Sequence, residues 1–313
     1  MKILAIVGST ASGKSALALE LAQRLGGEIV SCDSMQIYRG MNIGTAKPDA
    51  RELSLVRHHL IDVAEPHEDF SCADYVALAT HAIEDCASRG KLPVVCGGTG
   101  LYLDALLRKS DLAPDTTDAS VRGELMELAS REGNEALWQE LERIDPESAA
   151  AIHPNNVKRV ARAIEIYRTS GITKTELDRR SRQGGLRYDA CVIGLRYGDR
   201  SELYSRIDAR VDVMIEQGLL EETEALLNDG VFEHNRTAAQ AIGYKELIPY
   251  LRGEITLGEA VEELKIATRR YAKRQITWFC AKDYVKWIDV MGADGKKTFE
   301  EIVNIAENLF KNS

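Results

Sequence analysis

A short apolar run, Ile3-Leu4-Ala5-Ile6-Val7, leads into Gly8-Ser9-Thr10-Ala11-Ser12-Gly13-Lys14-Ser15 and then into an alanine- and leucine-rich stretch. No other feature constrains the fold as strongly. The eight residues match G-x-x-x-x-G-K-[ST], a turn whose backbone N–H groups cradle phosphate when a strand precedes it and a helix follows. Both neighbours fit: the apolar run suits a buried strand, and Leu17, Leu21 and Leu25 recur at the spacing of one helix face. Gly26-Gly27 gives the backbone freedom that closes such a helix. Loop amides and the helix N-terminus would face the anion, Lys14 would reach its oxygens, and Ser15 would ligate magnesium. The motif is specific for phosphate and silent about the reaction.

Further strands are expected at Glu28–Cys32, His58–Val63, Leu92–Cys96 and Cys191–Leu195, with helical stretches such as Tyr75–Ser88 between them. This alternation builds a parallel sheet covered on both faces. The rhythm stops after Leu107. Ser110–Ser120 reads as a linker, Val121–Arg182 as helix only, and Gly184-Gly185 as the exit before strand character resumes. The expected fold is α/β: a P-loop NTPase-like parallel sheet core (1–113 and 190–313) with an all-helical insertion (114–189). Glu202–Leu227 and Leu257–Ala281 read as helices of the core.

Six cysteines form no C-x-x-C pair and no zinc spacing, so a reduced, cytoplasmic protein is expected. No apolar run is long enough to cross a bilayer, and no membrane association is expected. A net charge of −9 excludes a surface that is one polyanion-binding field, yet the charge is uneven. Lys158, Arg159, Arg162, Arg168, Lys174, Arg179, Arg180, Arg182 and Arg187 face only Glu165, Glu176 and Asp178 in their span. From Lys265 to Lys286, seven cations oppose only Asp283 and alternate with Tyr271, Trp278, Phe279 and Tyr284. Solvated helix faces give such runs; basic residues among aromatics also suit nucleic acid, through phosphate contacts and stacking.

Three further places carry candidate chemistry. Asp33 follows the second strand, where ligands sit in open α/β sheets; it can be a general base, a magnesium ligand or a turn aspartate. Gln36, Tyr38 and Lys47 follow it with amide, aromatic and cationic groups. Where many P-loop NTPases end a strand in Asp, this chain has Gly97-Gly98-Thr99, which weakens a hydrolase reading; Asp62 is a possible substitute. Arg206 and Arg210 stand four apart and can clamp a diphosphate or pair with Asp208 and Asp212 on the surface.

Seven ordered blocks, among them "GSTASGKS", "DSMQIYRGMNIGTAKP", "GGTGLY", "AIGYKEL" and "RRYAKRQITWF", resemble the bacterial tRNA dimethylallyltransferase (tRNA isopentenyltransferase) family over nearly the whole chain. The resemblance implies transfer of a dimethylallyl group from dimethylallyl diphosphate to the exocyclic amine of the adenosine 3′ to the anticodon. It further implies that Thr10 to Ser15 hold the diphosphate with magnesium at Ser15, and that Arg210 contacts the diphosphate. Asp33 would be the base, with Thr99 beside the reacting centre, and Asp33, Ser34, Met35 and Gln36 would touch tRNA. Arg122, Lys158, Arg159 and Arg162, and Gln240, Ala241, Ile242, Gly243, Tyr244 and Lys245, fall in stretches resembling tRNA-contacting segments. A monomer binding the tRNA anticodon stem-loop is expected. The alternatives are a small-molecule or nucleoside kinase, a nucleotide-gated RNA-binding switch, and a transferase that prenylates free adenosine nucleotides.

Overall fold

The computed structural model describes residues 1–108, 118–183, 185–292 and 295–313. Its main sheet has six strands: β1 (Lys2–Gly8), β2 (Gly27–Ser31), β3 (His58–His59), β4 (Leu92–Gly97), β5 (Asp189–Arg196) and β6 (Val285–Asp289). They pair in parallel in the order β3-β2-β4-β1-β5-β6. Ile3 to Val7 are buried on both faces, which is why β1 reads as a continuous apolar run. The chain steps out from β1 to β2 and β3, returns to β4, and places β5 on the other side of β1. Strand order therefore reverses beside β1, and the loops after β1, β2 and β4 open at one edge of the sheet.

Leu4 and Ile6 meet Leu17 and Leu21 of the Lys14–Leu25 helix and Ile302, Val303 and Ala306 of the Phe299–Lys311 helix. Each such leucine, isoleucine or valine side chain contributes about 1.5–3 kcal/mol by leaving water. The Cys72–Ser88 helix packs on β2 and β4, and the Leu257–Cys280 helix on β1. Both begin with a reciprocal capping box, Ser71 with Asp74 and Thr256 with Glu259, which satisfies orphan N–H groups at each start.

The chain divides into two compact units, Met1–Leu106 with Tyr188–Ser313, and Leu107–Arg187. Among the described residues, helices of the second unit run Ala119–Glu132, Asn134–Ile144, Pro146–Ala151, Val157–Ser170 and Lys174–Gln183, and bury Leu125, Leu137, Leu141, Val160 and Ile164 together. Most of the Ser110–Ser120 linker, and Gly184 of the expected exit, lie outside the described residues.

Two expectations change, and one strand is added. The strand over His58–Val63 stops at His59, because Leu60 (φ +64°) and Asp62 (φ +55°) turn the chain and Asp62 pairs with Lys47. The helix over Glu202–Leu227 is two, Arg200–Glu216 and Leu219–Asn228, divided at Gly218 with φ +98°. Strand β6 escapes a sequence reading because its buried residues, Val285 and Ile288, are three apart and leave no alternation.

At the β2 edge, buried Glu28 accepts hydrogen bonds from Arg89 at both oxygens and from His59 at 2.7 Å, with the Cys86 thiol beside them. The three donors Glu28, His59 and Cys86 lie within 4.8 Å of one another, a spacing that can suit a metal, but here the Arg89 guanidinium fills the cation's role. Arg89 first, then His59, hold the Glu28 carboxyl down at about 2 against the cost of burial. A depressed carboxylate stabilises the fold above its unfolded pKa. That contribution should fade as pH falls from about 4.5 toward about 2. Urea midpoints measured against pH should find Arg89→Met less stable than wild type at neutral pH, with the gap closing through that window.

Candidate active site

The turn after β1 is shaped by backbone that few side chains permit. A Cβ on Gly8 (φ +150°) would lie 2.9 Å from Ser12 Oγ and 3.1 Å from the Leu195 carbonyl. Gly13 (φ +92°) precedes the Lys14–Leu25 helix without a side-chain cap, and Ala11 also occupies the left-handed region at φ +59°. Ser9 and Ser12 are buried, and Ser12 Oγ has no hydrogen-bond partner. Ser15 is exposed on the first helical turn.

Lys14 Nζ reaches the Ser9 carbonyl at 3.2 Å. Burial pulls the Lys14 pKa down; nearby Cys96 and Asp33 push it back, and Arg210 lowers it further. Arg210 is likewise lowered by burial, with Glu52 and Asp33 opposing, and its Nε is buried without a partner. Two desolvated cations and an unpartnered donor beside one turn favour a polyanion there. Two side chains hold the turn: the Thr10 N–H donates to Gln275 Oε1 at 2.8 Å, and Arg206 Nε donates to the Ala11 carbonyl at 3.1 Å. Thus Arg206 meets the loop backbone instead of Asp208.

Across the same sheet edge, the Met35 N–H donates to Asp33 Oδ1 at 2.9 Å. That is a turn bond, and it leaves Oδ2 without a hydrogen-bond donor among the described residues. Thr99 is drawn to this turn: its Oγ1 accepts from the Ser34 N–H at 3.1 Å, and its N–H donates to the Cys32 carbonyl at 3.2 Å. Such an approach requires glycine at 97, where a Cβ would stand 2.0 Å from the Cys32 carbonyl oxygen. Strand pairing therefore brings Asp33 and Thr99 together and places Asp33 within electrostatic reach of Lys14 and Arg210. Burial and then the Asp33 charge push the Tyr271 hydroxyl up, so Tyr271 adjoins the site too.

Several expected contact residues are committed elsewhere. Gln36 accepts from Ser31 and donates to the Thr45 and Ala46 carbonyls, so its amide holds its own loop. Tyr38 is fully buried. The Lys47 side chain is 5% exposed and binds Asp62 at 2.5 Å and the Tyr38 carbonyl. Asp62, the possible magnesium residue, is thereby occupied as a counter-ion.

Within Gln240–Lys245, only Gln240 and Lys245 are exposed; Ile242 is half-buried, and Ala241, Gly243 and Tyr244 are buried. The Tyr244 hydroxyl donates to Glu222 at 2.7 Å, and its ring crowds Gly44, so this side chain is held in packing. Glu222 also gathers the N–H groups of Asn42, Ile43 and Gly44, which joins two separate sequence blocks. An open cavity of about 490 Å³ is lined by Ile242, Lys245 and Glu246 together with Ile266, Arg270 and Arg274 of the second basic cluster.

In the helical unit, Arg122 and Arg162 both bind Glu165, whose side chain is fully buried. Burial alone would raise the Glu165 carboxyl; Arg122, Arg162 and the Asp118 N–H together hold it below its usual value. Arg168 pairs with Glu124 and Glu140, and Arg179 with Glu147 and Glu176. Acids outside the basic span therefore reach Arg168 and Arg179, and acids inside it pair with Arg162, Lys174 and Arg180. Lys158 and Arg159 are exposed and have no acidic partner among the described residues.

Gln275, Tyr271 and Glu222 escape a reading by motif. The available signal for Gln275 is an amide on the buried stripe of a helix, between Ala272 and Phe279.

A parallel sheet with a phosphate-type turn after its central strand, and a carboxylate at the adjoining strand end, defines a P-loop-like α/β protein. The chain belongs to the IPP transferase family, whose model matches residues 36–282. It is 45% identical to the tRNA dimethylallyltransferase of Caldanaerobacter subterraneus subsp. tengcongensis over 99% of this chain and 97% of the relative. Identity to the tRNA dimethylallyltransferase of Geobacillus thermodenitrificans is 48%, over 92% and 90% of the two chains. The crystal structure of the full-length tRNA isopentenylpyrophosphate transferase of Bacillus halodurans superposes with a TM-score of 0.71 at 44% identity, covering 99% and 97% of the chains. A eukaryotic dimethylallyltransferase acting on tRNA superposes at 0.81 with 29% identity, covering 99% of this chain and 80% of that one.

Proposed function

We propose that this enzyme transfers a dimethylallyl group from dimethylallyl diphosphate to the exocyclic amine of the adenosine 3′ to the anticodon of tRNA. The observation that carries the reading is the single electrostatic neighbourhood of Lys14, Arg210 and Asp33 at the ends of β1 and β2. Diphosphate is a leaving group here. The allylic C–O bond breaks toward the cradle, a C–N bond forms to the amine, and the amine proton passes to Asp33. Adenine's amine is a weak nucleophile because its lone pair is delocalised, so stabilising the departing charge and removing the proton both matter. Lys14, Arg210 and the loop N–H groups would hold the diphosphate. Ser15, an exposed residue of the first helical turn, and the buried, unpartnered hydroxyl of Ser12 suit a phosphate–magnesium group. Magnesium held at Ser15 would neutralise part of the leaving-group charge.

The adenine is stacked in its loop, and alkylating its amine requires drawing it out at a cost of a few kcal/mol that backbone contacts must offset. Lys158 and Arg159, exposed and without an acidic partner among the described residues, are cations of the helical unit suited to that work. Replacing both by glutamine should raise the KM for tRNA and make its salt dependence shallower by about two in slope, leaving the KM for dimethylallyl diphosphate unchanged. Steady-state kinetics across a salt series checks this; an unchanged slope would move the contacts to Arg270, Lys273 and Arg274.

Six unpaired cysteines suit a reducing cytoplasm, where we propose the enzyme acts as a monomer. No described helix is long and apolar enough to cross a membrane. Labelled dimethylallyl diphosphate offered with tRNA, AMP or ADP, followed by nucleoside analysis, tests the reaction. Label in N6-isopentenyladenosine from tRNA is expected. Label on AMP or ADP would favour a nucleotide prenyltransferase, and transfer from gamma-labelled ATP a kinase.

A further inference from the structure

Gln275 is 5% exposed on the buried face of the Leu257–Cys280 helix. An amide so placed is costly unless both its ends are bonded. Its Oε1 accepts from the Thr10 N–H at 2.8 Å, and its Nε2 donates to the Gly98 carbonyl at 3.0 Å. Only this orientation of the amide satisfies both partners, since one is a donor and the other an acceptor. Thr10 belongs to the phosphate-type turn. Gly98 adjoins Thr99, whose hydroxyl holds the Asp33–Ser34 turn. A Cβ on Gly98 would come within 2.1 Å of Nε2, so glycine there is what admits the amide.

We infer that Gln275 is a positioning residue whose amide fixes the separation between the cradle for the leaving diphosphate and the turn that carries the base. The inference rests on the reaction proposed above. In-line displacement needs leaving group, allylic carbon and amine held in a near-attack arrangement, and an error of about 1 Å costs about a hundredfold. Gln275 gains this role with no bond from its amide to Asp33, because it spans Thr10 and Gly98 from behind.

The test compares wild type, Gln275→Met and Gln275→Glu in the whole enzyme. Methionine keeps the volume and removes both bonds. We expect kcat to fall about a hundredfold, with the KM values for tRNA and dimethylallyl diphosphate changing far less. A protonated glutamic acid offers donor and acceptor where the amide does; an ionised one keeps only the acceptor. The ratio of Gln275→Glu to wild-type turnover should therefore rise as pH falls. For Gln275→Met that ratio should be flat.

Wild-type kcat in Gln275→Met, or a pH-independent ratio for Gln275→Glu, overturns the proposal. Should Gln275→Met fail to fold, the glutamate ratio alone decides. Hydrogen exchange at Thr10 reads the bond without turnover: faster exchange in Gln275→Met at an unchanged unfolding midpoint supports the clasp, and unchanged protection overturns it. If wild type transfers no prenyl group while Thr10 exchange responds, the reaction is misread and the bond from Gln275 stands.

Discussion

Replacing Asp33 by asparagine should lower turnover by roughly a hundredfold to ten-thousandfold, the usual range for loss of a general base, with little change in tRNA affinity. Asparagine can still accept from the Met35 N–H, so the turn beside Thr99 should survive. What disappears is the anionic oxygen that receives the amine proton, together with one of the two acids that offset the desolvation of Arg210. Single-turnover kinetics at saturating substrates, paired with tRNA binding, checks the split. Wild-type turnover in the variant would remove Asp33 from the mechanism.

Replacing Lys14 by methionine should cost about a hundredfold to a thousandfold in turnover, the range for removing one preorganised donor from developing negative charge. Burial already lowers the Lys14 pKa, so its charge is held in the protein at a cost that a bound polyanion would offset. The variant should also bind inorganic diphosphate more weakly while holding tRNA as before. Calorimetry with diphosphate and a filter assay with tRNA separate the two. Loss of tRNA binding with diphosphate binding intact would overturn the assignment of the turn.

The cradle and the parallel sheet are legible in the sequence because each depends on local pattern: a buried strand, a glycine-bounded turn, a helix. Asp33 is legible as a candidate through its position after β2. Its pairing with Thr99 is not, because that depends on β2 and β4 lying side by side, which is a property of strand order. Lys47 and Arg168 show the opposite failure. Each looks like a free cation along the chain, yet each meets an acid that only folding brings close, Asp62 for one and Glu140 for the other. Counting acids within a basic span misses such partners, and Glu124 and Glu147 escape in the same way. Gln275 is hidden among cations that do face solvent, such as Lys273 and Arg274.

The Lys14–Leu25 helix buries Leu17 and Leu21 partly against Ile302, Val303 and Ala306, and Arg24 pairs with Glu300. Central strand β1 also waits for β5 before both its edges are paired. During synthesis β1 and the Lys14–Leu25 helix leave the ribosome before the partners that finish them, β5 and the Phe299–Lys311 helix. The helical unit, whose contacts are local to residues 107–187, can consolidate while the sheet's centre is still half-built. Nascent chains stopped short of residue 299 would carry an uncovered apolar helix face, which marks them for chaperones and proteases, and chains stopped before residue 275 would also lack the amide that holds the Thr10 N–H.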